Sequence, residues 1–173
     1  SPDEFDPHMS MLETATNQAT LMLNDMLDWF MMKSGSDRMQ CIWQFVHPII
    51  QHSIEDVSLQ TKNKGIKIRN EVPKYLQLEV NKQALESIFR NVLSNALKFS
   101  PKQSDIVISV EREDNKVHLL ISDLGIGLDR SMINVINHSE GAMFSKDGVA
   151  GEKGAGIGIR LSQELAESMN GKL

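Results

Sequence analysis

The sequence contains one cysteine, Cys41, in 173 residues. That excludes an internal disulfide and any zinc site built on several cysteines, and it points to a reducing compartment. No apolar run approaches the roughly 18 residues that a membrane-spanning helix needs. A basic excess is also missing: 18 Lys+Arg stand against 23 Asp+Glu, a formal net charge of -5, so the footprint of a nucleic-acid binder is absent. The Walker pattern GxxxxGK[ST] does not occur, and no GxGxxG follows a strand in a βαβ unit. What is present is 40% hydrophobic and 24% charged residues, the composition of an ordinary globular chain long enough for one core.

Residues 1–8 read as a cloning remnant ahead of Met9 and are set aside from the fold argument. Residues 9–33 have helical periodicity: Leu12, Ala15, Ala19, Met22, Met26 and Trp29 recur at spacings of three and four, with Leu23, Leu27 and Phe30 as a second stripe. So wide an apolar face suits a helical bundle, and the helix is expected to dimerise. Gly35 and its flanking serines mark its end. Beyond them the pattern predicts a short strand over 39–43, a helix over 45–63 ended by Gly65, and a strand at 66–68. A helix over 81–99 follows, with an apolar stripe of Leu85, Phe89, Val92 and Ala96 widened by Leu93 and Leu97, and closed by Pro101. Strands at 106–110 and 117–121 flank a hairpin signal at Glu113-Asp114-Asn115-Lys116. A Gly-rich segment spans 123–153, and a last helix is predicted over 158–170 on Ile159, Leu161, Leu165, Ala166 and Met169. This order predicts an α+β two-layer sandwich, a mixed and mostly antiparallel sheet with helices on one face, preceded by a long bundle-type helix.

Three features carry candidate chemistry. Asn91, Asn95 and Lys98 share one helix face beside the apolar stripe. Carboxamide oxygens are hard ligands suited to Mg²⁺, and a lysine is a point charge for phosphate; a solvated helix face is the plain alternative. Asp123-Leu124-Gly125-Ile126-Gly127 follows a strand directly. It offers an acceptor-only carboxylate, suited to an adenine amino group, beside a backbone that glycines leave open to close approach; an ordinary strand-to-loop turn would have the same composition. Gly151-Glu152-Lys153-Gly154-Ala155-Gly156-Ile157-Gly158 opens the last helix. There, crowded N–H groups and a helix N-terminus favour phosphate, and the alternative is a surface linker.

In order and spacing the three segments resemble the N, G1 and G2 boxes of the ATP-binding catalytic domain of two-component sensor histidine kinases, in the superfamily of Hsp90, gyrase and MutL ATPases. The N-box likeness runs from Glu86 through Asn91, Asn95 and Lys98 to Ser100, and Leu27-Asp28-Trp29-Phe30 resembles the close of the second helix of the dimerisation and phosphotransfer hairpin. The resemblance implies residues 9–34 as a partial hairpin and 35–173 as the ATP-binding domain, without its last strand or strands. It implies Mg²⁺ on Asn95 with Asn91 assisting, and Lys98 on phosphate. Phe99 would lie against adenine, and Asp123 would accept from its amino group above Gly125 and Gly127. Lys153, Gly154, Gly156, Ile157 and Gly158 would line the triphosphate, under a nucleotide-ordered lid over 129–153.

The implied cofactors are ATP and Mg²⁺. The implied partners are a second copy through the N-terminal helix and the receiver domain of a response regulator, with no nucleic acid. Localisation is expected to be cytoplasmic, with any membrane attachment through upstream segments. The family's acceptor histidine precedes an acidic or amide residue. His8, His47, His52, His118 and His138 precede Met9, Pro48, Ser53, Leu119 and Ser139, so none is an acceptor and the chain is not expected to phosphorylate itself. Val149 and Ile157 replace a common Thr and Leu, and the lid has no clear match to its usual Phe near 135–138. These departures keep open a degenerate, non-catalytic dimerising module; a serine kinase of the anti-sigma-factor type is a further alternative.

Overall fold

Where apolar residues alternate, the second half of the chain forms strands, and where they recur every three or four residues it forms helices. The computed structural model describes residues 16, 20, 23, 27, 40–130, 133, 134, 136 and 158–173. The chain divides into two units, Ser1–Arg38 and Met39–Leu173. In the first, residues 16, 20, 23 and 27 are helical, and the Thr20 hydroxyl donates to the Thr16 carbonyl at 2.9 Å. Leu23 and Leu27 of the second stripe are 61% and 58% exposed, and Phe30 of the same stripe lies outside the described residues. The first stripe, from Leu12 to Trp29, lies outside the described residues.

The second unit opens with β1 (Ile42–Phe45), which starts later than the expected 39–43 and runs directly into α1 (Val46–Asp56). The helix expected over 45–63 is two helices. It breaks at Val57 (φ -97°, ψ 9°) before α2 (Ser58–Lys64). Val46, Ile49, Ile50 and Val57 are buried, whereas α2 buries no residue and its Leu59 is 69% exposed. With the apolar face exhausted at Val57, nothing holds the axis straight. Gly65 ends α2 in the left-handed region at φ 66°, as its sequence position predicts.

β2 (Lys67–Asn70) follows, then β3 (Gln77–Val80), a strand that the periodicity did not predict. β3 pairs antiparallel with β1, with Ile42 opposite Val80 and Phe45 opposite Gln77. α3 (Lys82–Phe99) is capped by Asn81, whose side-chain oxygen accepts from the Ala84 N–H at 2.9 Å. β4 (Asp105–Glu113) and β5 (Lys116–Ser122) form the expected hairpin around Asp114, which takes φ 52°. The second sheet has the order β2-β4-β5, with β2 parallel to β4 and β5 antiparallel. α4 (Gly158–Ser168) ends in a Schellman turn. Asn170 is left-handed at φ 59°, its N–H donates to Glu167, and the Gly171 N–H donates to the Ala166 carbonyl at 2.8 Å.

The register places Ile68, Ile106, Ile108, Val110, Leu119 and Ile121 on one face of this sheet, packed with the helices into a single core. Lys67, Arg69, Ser109, Glu111 and His118 occupy the other face. Helices on one face of a mixed sheet is the predicted arrangement, here with a separate two-stranded ribbon. α3 packs against both α1 and α4. Its buried set is Ala84, Leu85, Ser87, Ile88, Phe89, Leu93, Ala96 and Leu97. Val92, counted in the predicted stripe, is only half-buried, whereas Ile88, one turn before it on the same side and not counted, is buried. Facing α4, Ala84 and Ser87 on one helix and Ser162 and Ala166 on the other are small enough to let the backbones approach.

Truncating the cap (Asn81→Ala) should cost about 1 kcal/mol of stability. Leu93→Ala at the centre of α3 should cost roughly 2–5 kcal/mol. Urea unfolding of the two variants checks both values.

Candidate functional site

Because α3 is clamped on both sides, its rotation is fixed. Asn91, Asn95, Lys98 and Phe99 then fall half-buried along the edge of the core. At Asn91 this edge meets the start of α4. A Cβ on Gly158 would fall on the carboxamide of Asn91, its oxygen and nitrogen included. Glycine leaves room for the Asn91 side chain in this position, so residues 67 positions apart in the chain (158 − 91) form one wall. The Asn91 Nδ2 is buried with no hydrogen-bond partner among the described residues. The same holds for the hydroxyls of Ser87, one turn earlier on α3, and Ser162, one turn into α4. Buried polar groups are normally paired. Three unmatched ones beside a helix N-terminus, whose first N–H groups also lack intrahelical partners, make a concentration of unspent donors.

The last turn of α3 meets the loop after β5. A Cβ on Gly125 would stand 2.9 Å from the Phe99 carbonyl oxygen and 2.6 Å from Asp123 Oδ1. The Gly125 N–H donates to Asp123 Oδ1 at 2.7 Å, an Asx turn that orients an exposed carboxylate through one of its oxygens. Gly127 is a glycine for a different reason. Nothing lies within 4 Å of its virtual Cβ, but its φ is 66°. The Lys98 ammonium sits 5.1 Å from the centroid of the Phe99 ring, within cation–π range.

The structure thus brings Asn91 to Gly158 and Phe99 to Gly125 beside Asp123, with Asn95 and Lys98 on the helix between the two contacts. Lys153, Gly154, Gly156 and Ile157 lie outside the described residues, as does most of 129–153. Where that segment is described, the Ile133 N–H donates to the Asp129 carbonyl, and Gln163 on α4 donates to the Ile136 carbonyl at 2.9 Å. The sequence reading passed over Leu124, Ile126 and Leu128. At 70%, 59% and 51% exposure they alternate with the two glycines of the loop. The signal was there as an i, i+2, i+4 apolar pattern, masked by the glycines between.

Among the described residues, no group of three or more His, Cys, Asp or Glu is placed to hold a metal. Hard oxygen donors at the site are the carboxamides of Asn91 and Asn95. Mg²⁺ keeps several waters and is commonly held by a few protein oxygens plus phosphate oxygens, so this sparse set fits Mg²⁺ arriving with a polyphosphate. The unmatched Asn91 Nδ2, a donor, also fits a phosphate-bearing ligand. Of the described histidines, His52 Nδ1 lies 3.5 Å from Glu86 and 3.9 Å from Asp56, and His118 Nε2 lies 3.5 Å from Glu113.

Comparison with known proteins bears on this geometry. The profile of the family described as histidine kinase-, DNA gyrase B-, and HSP90-like ATPase matches residues 80–173, just over half of the chain. The histidine protein kinase DivJ of Caulobacter vibrioides is 21% identical over 174 aligned positions, covering 99% of this chain and 28% of DivJ. The chain spans 14 to 32% of the length of such curated relatives. Among solved structures, full-length ShkA in complex with AMPPNP superposes with a TM-score of 0.67 at 20% identity, over 90% of this chain and 32% of ShkA. The mycobacterial sensor histidine kinase MprB superposes with a TM-score of 0.61 at 20% identity, over 75% of this chain and 80% of the MprB chain. These likenesses establish the α+β fold.

The two loop glycines should respond differently to a methyl group. Gly125→Ala pushes against a backbone carbonyl that has nowhere to move and should destabilise by roughly 1–3 kcal/mol. Gly127→Ala meets open space and should cost only the left-handed strain, about 1–2 kcal/mol, with Gly127→Asn losing less. Thermal unfolding of the three variants tests that order.

Proposed function

The chain belongs to the family of histidine kinase-, DNA gyrase B-, and HSP90-like ATPases, and from that premise we propose that it is the ATP-binding kinase module of a sensor histidine kinase. It binds Mg-ATP and presents the γ-phosphoryl group to a histidine on a separate helix, for relay to a receiver-domain aspartate. The observation that carries this reading is the convergence of three chain-distant segments on one edge of the core. Asn91 lies against Gly158 at the start of α4, and the Phe99 carbonyl lies against Gly125 beside Asp123. The names of the relatives, histidine kinases, supply the reaction class.

In this reading Asp123 accepts from the adenine amino group. Gly125 holds that carboxylate through its N–H, and Gly127 carries the loop past the base. Phe99 lies against the ring. Asn95, with Asn91 beside it, turns carboxamide oxygens toward Mg²⁺, and Lys98 faces phosphate. Gly158 and the α4 N-terminus, with Lys153, Gly154, Gly156 and Ile157 ahead of them, receive the phosphate tail. When bound, Mg-ATP supplies the transferable phosphoryl group and a divalent charge. The protein's contribution is to orient the tail in line with the incoming nitrogen and to neutralise charge. None of the five histidines is followed by an acidic or amide residue that could act as base, so in this reading the acceptor belongs to another segment. The stripe that includes Leu23 and Leu27, exposed where described, suits a helix that pairs with a second copy.

Mg-ATP at roughly ten times its Kd should stabilise the chain by about 1.4 kcal/mol, which raises Tm by about 3–6 °C in a domain of this size. Mg-GTP should leave Tm unchanged, and Asp123→Asn should abolish the ATP shift. The absence of any shift at millimolar Mg-ATP would overturn the reading. Transfer is checked by mixing the chain with a separately made acceptor helix and labelled ATP, where acid-labile phosphate is expected on the helix.

A further inference from the structure

α2 buries no residue, yet it is joined to the end of α3 from two directions. The Gln103 N–H donates to the backbone carbonyl of Lys64 at 3.0 Å. The Lys64 ammonium in turn donates to the carbonyls of Leu97 at 2.9 Å and Lys98 at 3.2 Å. The left-handed Gly65 directly after Lys64 packs on Gln103, which is itself left-handed at φ 61°. The last carbonyls of a helix have no intrahelical partners and carry partial negative charge, and water ordinarily satisfies them at an exposed end. Here a half-buried cation does so instead.

The turn it holds is the one that bears Lys98 and Phe99 and whose Phe99 carbonyl abuts Gly125. An uncompensated helix C-terminus would repel a polyanion placed beside it, and a frayed last turn would release Lys98. We propose that Lys64 is a positioning residue for nucleotide binding. By bonding the carbonyl of Lys98 and that of its neighbour, it fixes the last turn of α3 and cancels its negative end, so that Lys98 is set for phosphate. This rests on the reading of the site as an ATP site, and Lys64 itself touches no ligand in it.

The test is a double-mutant cycle on the full 173-residue chain, with Mg-ATP affinity measured by calorimetry and the Tm of each unliganded variant recorded alongside. Lys64→Met keeps the aliphatic stem and removes the donors; it should weaken Mg-ATP binding roughly fivefold, the scale of a charge at a helix end. Lys64→Arg should restore most of the affinity. Because Lys64 acts through Lys98, Lys64→Met should add less than about twofold in a Lys98→Ala background, a coupling that a general loss of stability would not produce. Unchanged affinity in Lys64→Met, or full additivity with Lys98→Ala, overturns the proposal. If Lys64→Met loses its folded baseline, Lys64→Gln, which removes the charge but keeps a shorter donor, is compared with Lys64→Arg, and equal affinities of the two overturn the proposal. Failure of the ATP reading itself would show differently, as a wild-type chain that takes up no Mg-ATP.

Discussion

Burial of α3 between α1 on one side and α4 on the other fixes the rotation of that helix about its axis, and the candidate site depends on that rotation. Leu93 and Leu97 are all but fully buried, and the 3.6-residue period then leaves no freedom in where Asn91, Asn95 and Lys98 fall. They lie on the rim because the core occupies the other side. Turning α3 by one residue would bury a lysine and expose a leucine, and the desolvation of that charge alone would oppose it. Polar chemistry is thus held in place by apolar packing.

Glycine performs a second, independent task at both ends of the rim. At Gly158 and Gly125 the missing Cβ allows another chain segment to come closer than any side chain would permit, and at Gly127 it permits a left-handed backbone. Close approach joins segments distant in sequence and leaves polar groups facing inward without partners: Asn91 Nδ2 and the hydroxyls of Ser87 and Ser162. A fold selected for stability alone would replace such groups with carbon. In the proposed reading of the site, a phosphate tail at the start of α4 would give the Asn91 group the partner it lacks.

Much of this was legible in the chain itself. The Gly65 stop and the hairpin at Asp114 are local events, decided within four or five residues, and each occurs where its residues predict; the helices expected over 81–99 and 158–170 run over Lys82–Phe99 and Gly158–Ser168. The three motifs identified the family because order and spacing are properties of the sequence. Less legible were features that depend on a neighbour. The break at Val57 happens where the apolar face of α1 runs out against its partners, and β3 is a strand because β1 offers it hydrogen bonds. Ile88 is buried and Val92, one turn later on the same side, is not, because periodicity gives the side of a helix and not how far along it a neighbour covers that side.

Composition and periodicity determined by themselves the fold class and the residue types at the candidate site, and the resemblance of three ordered motifs pointed to the family, because these are written in local order along the chain. Which residues touch was decided only by tertiary structure. That Asn91 meets Gly158, that Phe99 meets Gly125, and that Lys64 closes the end of α3 are facts of packing. No linear spacing encodes them, because the distance between two segments is set by how the core fills the space between them.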